Sequence, residues 1–213
     1  MIEITKVIFE TKEIFKQKDI KKFRGFLGNK FKSDVTFHNH LDNSKLNYQM
    51  PLIQYKIIDS KLSIIGINEG GEILRKNILT VTSLKIGERN INDFEIKVKV
   101  KKEKLIVDDE LHTYSFSSPW LPLNQNNINK YYENKSNLNH ILQNHILTNF
   151  KGLNIEADKQ IIVKGFFKET SVIYKNQKLI GFTGDFMTNV LLPENLGLGK
   201  ARALGFGNVI NKK

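Results

Sequence analysis

The stretch PLIQYKIIDSKLSIIGIN, residues 51–68, places two Ile-rich runs on either side of the polar pair Asp59-Ser60. Runs of this length, rich in β-branched residues and bounded by turn formers, predict a hairpin of two strands at 51–59 and 61–68. Upstream, Ile2, Ile4 and Ile8 in IEITKVIF predict a strand. Between that strand and the hairpin, Asp19-Ile20 through Phe31 reads as a basic helix, because Ile20, Phe23, Leu27 and Phe31 recur at intervals of three and four along one face. Downstream, a short helix from about Glu72 to Val81 and a strand at 83–88 complete the order strand, helix, strand, strand, helix, strand.

That order is the ferredoxin-like plan. The second half reads as a decorated version of it. FEIKVKVKKEKLIVDDELHTYSF, residues 94–116, alternates apolar and charged residues as strands with one solvated face do. A long polar helix is expected within 125–150, its apolar stripe made by Leu138, Ile141, Leu142, Ile146 and Phe150. Strands are expected at about 159–167, 170–175 and 178–191, followed by a Gly-rich loop. Gly87, Asn90, Asn92 and Asp93 interrupt the pattern, which puts the boundary near Glu88 to Asp93 and gives two α+β domains, 1–90 and 91–213.

The chain of 213 residues carries 33 Lys plus Arg against 22 Asp plus Glu, a formal net charge of +11 that attracts nucleic acid or an anionic membrane surface. No stretch approaches the ~18 apolar residues of a spanning helix. The segment MIEITKVIFETKEIF has acidic residues where a signal peptide has a basic segment and an apolar core. The absence of cysteine removes disulfides and thiolate zinc sites and fits a reducing cytoplasm. Arginine stands only at Arg24, Arg75, Arg89 and Arg202, while Lys, Asn and Ile are plentiful, a composition that A+T-rich coding would produce by itself. Charge alone therefore does not decide for RNA.

The loop GLGKARALGFG, residues 197–207, concentrates Gly197, Gly199, Gly205 and Gly207 around Lys200 and Arg202. Glycines let a backbone come close to a ligand and the two cations suit an extended polyanion. A phosphate-cradling P-loop is excluded, since five residues before Gly199 stands Glu194 and after Lys200 stands Ala201. The dinucleotide fingerprint fails where its third glycine falls on Arg202. An ordinary Gly-rich turn ahead of a terminal strand remains the plain alternative.

Phe37-His38-Asn39-His40 directly follows the basic helix with its Arg24, Lys30 and Lys32. Histidines at i and i+2 on an extended segment point to one side. With an ordinary pKa of about 6.5, one can be neutral and its neighbour protonated, the pairing general base and general acid catalysis requires. Three readings stand open: two solvated loop histidines, a metal site completed by Asp34, Asp42 or His112, and an acid/base pair for phosphodiester cleavage. No zinc-protease or EF-hand spacing surrounds them. Of the other histidines, His140 and His145 fall on the expected long helix in surface or partly buried roles, and His112 falls on a strand or turn. Trp120 reads as a packing anchor, and Phe206 and Tyr55 read as core more readily than as base-stacking platforms.

FRGFLGNKF at 23–31, FHNH at 37–40, MPLIQYKIIDSKLSIIGINEG at 50–70 and GFTGDFMTNVLLPENLGLGKARALGFGNVI at 181–210 together resemble the CRISPR repeat-RNA endoribonucleases, and more narrowly the b-type branch of the Cas six family associated with type I-B systems. The resemblance implies two tandem ferredoxin-like domains of the RAMP or RRM-like kind and metal-independent, cofactor-free cleavage of precursor CRISPR RNA within each repeat. It implies catalytic roles for His38 and His40, with Lys30 and Tyr48 as the nearest candidates for the Lys or Tyr that relatives bring to the site. It also implies RNA contacts from the 197–207 loop, alongside Arg24 and Lys32 on the basic helix. Ala203-Leu204 departs from the small polar and basic residues more usual ahead of GFG. The implied partners are precursor and processed repeat RNA and a Cascade-type effector complex, with homodimerisation open and no membrane. A non-catalytic subunit that holds repeat or guide RNA is the alternative, and a metal-dependent nuclease using His38, His40 and Asp34 or Asp42 is a third reading.

Overall fold

A computed structural model describes residues 1–37, 50–133 and 137–212, and divides them into two compact units. The first takes in Met1–Glu103 and Ala203–Gly205, the second Lys104–Arg202 and Phe206–Lys213. His38, His40 and Tyr48 lie outside the described residues.

The first unit runs β1 (Ile2–Glu10), α1 (Ile20–Lys30), β2 (Ile53–Ile58), β3 (Lys61–Ile67), α2 (Glu69–Asn77), β4 (Leu84–Ile86), β5 (Arg89–Ile91) and β6 (Glu95–Glu103). Asp59 and Ser60 adopt φ of 50° and 62°, the left-handed pair that matches a two-residue turn to strand twist, so β2 and β3 pair as the sequence predicts. The sheet order is β2-β3-β1-β6, all antiparallel, which is the ferredoxin-like arrangement with β6 as its fourth strand. The predicted strand at 83–88 is instead one arm of the separate β4-β5 hairpin, and the pattern break at Glu88 to Asp93 belongs to that hairpin. β6, read from sequence as part of the second half, pairs with β1 from Ile2↔Glu103 to Glu10↔Glu95 and therefore belongs to the first unit. The core gathers Val7 and Phe9 of β1, Phe23 and Leu27 of α1, and Tyr55 and Ile64 of the hairpin. Phe23 meets Phe9 edge-on at 5.3 Å and Tyr55 edge-on at 5.6 Å, geometries that aromatic quadrupoles favour.

The second unit repeats the strand plan with β7 (Ile106–Phe116), β8 (Val163–Tyr174), β9 (Gln177–Leu191) and β10 (Val209–Asn211), in the order β10-β7-β9-β8. The strands expected at 159–167 and 170–175 are one continuous β8, closed onto β9 by Lys175 and Asn176 at φ of 49° and 61°. Two helices, α3 (Ile128–Tyr132) and α4 (Leu138–Gly152), take the place of the single one expected within 125–150. The Asn137 side chain accepts from the His140 N–H and so satisfies one of the free donors at the start of α4. Leu142, Ile146 and Phe150 bury the predicted stripe. Trp120 is fully buried, held to Phe182 by reciprocal backbone hydrogen bonds of 2.7 and 2.8 Å and stacked on Phe116, the anchor its sequence position suggested. Where the first unit has α2 between its third and fourth sheet strands, β3 and β6, the second has the Gly-rich loop between β9 and β10, with a 3₁₀ turn at Arg202–Leu204.

Candidate functional site

The first unit fixes the chain on both sides of residues 38–49. α1 ends as Phe31 N–H donates to the Leu27 carbonyl, and the Asp34 and Phe37 N–H groups then step the chain back through the Phe31 and Asp34 carbonyls. The Asp34 carboxylate accepts from Thr36 N–H at 3.0 Å, a local turn role. Phe37 is buried with its ring 4.7 Å from Phe31, and its carbonyl accepts from the Tyr55 hydroxyl at 3.3 Å. Burial pushes the Tyr55 phenol above its ordinary range, against the opposing charge of Arg24, so this hydroxyl stays a donor. On the far side Met50 is buried. The segment carrying His38, His40 and Tyr48 is thus entered from one core anchor and left into another.

Phe23 and Leu27 face inward on α1, which turns its lysines outward. Lys30 is exposed and lines a groove of about 480 Å³ with Lys22, Phe26, Asn29 and Lys85, so three ammonium groups border one depression. Lys32 is exposed on the turn after α1, and Arg24 is half-buried.

The loop of 197–207 is held in shape by its own backbone. Leu198 N–H donates to the Gly207 carbonyl at 2.9 Å, and Gly207 N–H donates to the Pro119 carbonyl at 2.9 Å. Gly207 has φ of +60°, and a Cβ there would stand 2.1 Å from the Leu198 oxygen, which only glycine avoids. The 203–205 portion belongs to the first unit, where Gln17 Nε2 donates to the Leu204 carbonyl at 2.7 Å and a Cβ on Gly205 would lie 3.1 Å from the Tyr55 carbonyl. Tyr55 therefore touches both the Gly205 end of the loop and, through its hydroxyl, the residue preceding His38.

In the second unit Lys200 is exposed, its Nζ 5.9 Å from the Tyr174 ring centre. Arg202 is committed to Asn149 of α4, whose Oδ1 accepts from its guanidinium, and Asn149 Nδ2 donates to the Gly197 carbonyl at 3.3 Å. One buried side chain thus fastens Gly197 and Arg202 together. Burial pushes Arg202 down to about 10, which leaves it charged at neutral pH. One turn before Asn149, His145 Nδ1 accepts from the Trp120 indole N–H at 3.0 Å. Burial, with the nearby charge of Arg202 second, pushes His145 down to about 4. The i, i+4 spacing of His145 and Asn149 on the apolar side of a helix was the available signal for this pair; neither residue announces its partners in sequence.

The remaining candidates are placed plainly. His112 lies on β7 beside a register shift, with Nε2 2.8 Å from Asp108, whose carboxyl this contact holds below its usual value. His140 is exposed. Tyr55 and Phe206 are buried, Phe206 edge-on to Tyr174 at 5.8 Å. Among the described residues no cluster of three or more His, Asp or Glu side chains is placed to hold a metal ion, and no helix is long and apolar enough to cross a membrane.

Two ferredoxin-like units in tandem, the second carrying a Gly-rich loop ahead of its last strand, give this chain the fold of the Cas6 proteins. Within that class the chain belongs to the Cas6b family: residues 1–104 match the Cas6b N-terminal domain and residues 106–212 the Cas6b C-terminal domain. A crystal structure of Cas6b superposes with a TM-score of 0.90 at 30% identity, over 100% of both chains. A crystal structure of the CRISPR RNA processing endoribonuclease Cas6b does so with a TM-score of 0.75 at 26% identity, again over 100% of both. An uncharacterized protein of Methanocaldococcus jannaschii is 36% identical over 118 residues, 53% of this chain and 80% of that protein.

Proposed function

We propose that this chain is a metal-independent endoribonuclease that cuts precursor CRISPR RNA within its repeats. Family membership supports the substrate class, since a 26% identical neighbour is named a CRISPR RNA processing endoribonuclease. The observation that carries the reading is the position of Tyr55 in the first unit: its hydroxyl donates to the carbonyl just before His38, and its own carbonyl lies close beside the Gly205 end of the loop. The Gly205 end of the loop and the chain leading into the histidine segment thus share one neighbour within the first unit.

In this reading a neutral imidazole of the His38 and His40 pair takes the 2′-hydroxyl proton, and the freed oxygen attacks the adjacent phosphorus. A protonated imidazole gives its proton to the departing 5′-oxygen. The P–O5′ bond breaks as the P–O2′ bond forms, leaving a 2′,3′-cyclic phosphate and a 5′-hydroxyl. The nucleophile belongs to the RNA, so the step needs no metal-bound water. Lys30 stabilises the charge that builds on the phosphorane oxygens, worth on the order of 3 kcal/mol for a well-placed donor, and Tyr48 stands as the second supporting candidate. Arg24, Lys32, Lys200, Arg202 and the loop backbone at Gly199 form the proposed RNA contacts, while Gly197, Gly205 and Gly207, named with them from sequence, are buried and shape the loop. The proposed partners are repeat RNA and a Cascade-type effector complex in the cytoplasm.

The test is incubation of the protein with labelled repeat RNA in excess EDTA, beside a copy with a 2′-deoxy nucleotide at the cut site. Cleavage of the first alone, with a cyclic phosphate end, is the expected result. Tight binding with cleavage of neither would make the chain a non-catalytic RNA-binding subunit, and cleavage abolished by EDTA would make it a metal-dependent nuclease.

A further inference from the structure

Behind the Gly-rich loop the second unit contains a cavity of about 280 Å³, bordered by Leu121 and Leu123, by His145 and Thr148 of α4, and by Lys200 and Arg202. We propose that this cavity takes one unpaired nucleotide of the bound RNA, with a keto base, guanine or uracil, lying on the Leu121–Leu123 floor and its phosphate at Lys200. The inference rests on the RNA-binding reading above and adds to it a base-reading site.

The polar groups of the cavity are unusually well defined. The Trp120 indole N–H occupies His145 Nδ1 at 3.0 Å with the two rings edge to face, so the tautomer follows from that bond: Nδ1 accepts and Nε2 carries the ring proton. Held down to about 4, the imidazole is neutral in ordinary buffers and offers Nε2–H as a neutral donor. The Arg202 guanidinium spends one nitrogen on Asn149 and keeps further N–H groups. Both groups call for an acceptor such as a base carbonyl, and both would face the amino group of adenine or cytosine donor to donor. Thr148 has already given its hydroxyl proton to the Asn144 carbonyl at 2.8 Å, which leaves its oxygen as an acceptor for the ring N–H that guanine and uracil share.

Size and floor agree with one base. The volume falls just under the ~300 Å³ at which pockets for small ligands begin, enough for a splayed nucleotide and too little for paired strands. Leu121, Pro122 and Leu123 are buried residues that present an apolar surface to the cavity. Lys200 is exposed, free to follow a phosphate at the entrance. The wall is shaped by Gly199: at φ of +81° it comes so close that a Cβ would lie 2.8 Å from Trp120 Nε1 and 3.0 Å from His145 Nδ1. Sequence-specific RNA recognition commonly works on unstacked single-stranded bases in this way.

The test measures affinity for a series of repeat RNAs, each with one abasic nucleotide, using the intact protein and the variant Thr148→Phe. Thr148 is exposed on α4, so the new ring fills the cavity without disturbing the core. The intact protein is expected to lose about tenfold in affinity at one guanosine or uridine position. Thr148→Phe is expected to bind the unmodified repeat about tenfold more weakly and to lose nothing further when that base is removed. An abasic profile unchanged by Thr148→Phe would overturn the proposal, as would weaker binding by Thr148→Phe with no base-dependent position. Cleavage of the unmodified repeat by the intact protein in EDTA reports separately on the nuclease reading, so the two can fail independently.

Discussion

Acidification between about pH 7 and pH 5 should destabilise the second unit by about 2 kcal/mol through His145 alone. The perturbation follows from the imidazole being kept neutral, with its pKa moved from 6.5 to about 4 by burial and, second, by the charge of Arg202. Between those values the unfolded chain takes up a proton that the folded chain refuses, so stability from this group is full above the unfolded pKa and falls as the pH drops toward the folded one. The whole shift corresponds to about 3 kcal/mol, of which about 2 kcal/mol is expressed by about pH 5. Protonation also removes the lone pair that accepts from Trp120. Trp120 is the single tryptophan of the chain and is fully buried, so its fluorescence during urea unfolding reports on this unit. The control is His145→Gln, which does not titrate. The intact protein should lose about 2 kcal/mol more than the variant over that interval, and parallel stability profiles for the two would refute the reasoning.

Asn149→Ala leaves the Arg202 guanidinium and the Gly197 carbonyl without their shared partner and should cost about 3 kcal/mol, a fall in Tm of roughly 6–12 °C by thermal denaturation. Gly207→Ala forces a left-handed alanine against the Leu198 oxygen and should lose at least about 2 kcal/mol. By contrast, Gly25→Ala on the exposed side of α1, where a Cβ meets nothing within 4 Å, should gain roughly 0.5–1 kcal/mol, checked by urea titration. His38→Ala and His40→Ala should each cut single-turnover cleavage of repeat RNA by about 10²-fold or more while affinity changes little; undiminished cleavage in both would remove the histidine pair from the reaction.

Local pattern announced much of the first unit. The 51–68 hairpin and the α1 stripe are short-range features, and each appears where periodicity puts it. The fourth strand is missed in sequence because apolar and charged residues alternate up to Val100 and strand-like residues resume after the charged run 101–104, so that run does not stand out as the point where the chain changes unit, between β6 and β7. A three-residue arm at 84–86 meanwhile looked long enough to end the first unit. At the candidate site, glycine and charge marked the loop. What shapes it did not show: Asn149 meets Gly197 and Arg202 across 48 and 53 residues, and Gln17 reaches Leu204 across 187, contacts that no spacing rule reaches. The histidine segment is legible as chemistry in the sequence and lies outside the described residues.

β6 stands last in its four-stranded order, and Lys97, Lys99 and Lys101 recur along one of its faces, with Lys102 on the other, all exposed. A terminal strand presents backbone groups that another chain can extend into a shared sheet, and a row of like charges opposes that approach. Part of the positive charge that suggests a polyanionic ligand thus also lies where it would repel a second copy of the protein. Replacing these four lysines with neutral residues would lower the concentration at which the protein precipitates before any change in RNA binding is measured, and a loss of solubility in such variants is no sign of a lost RNA contact.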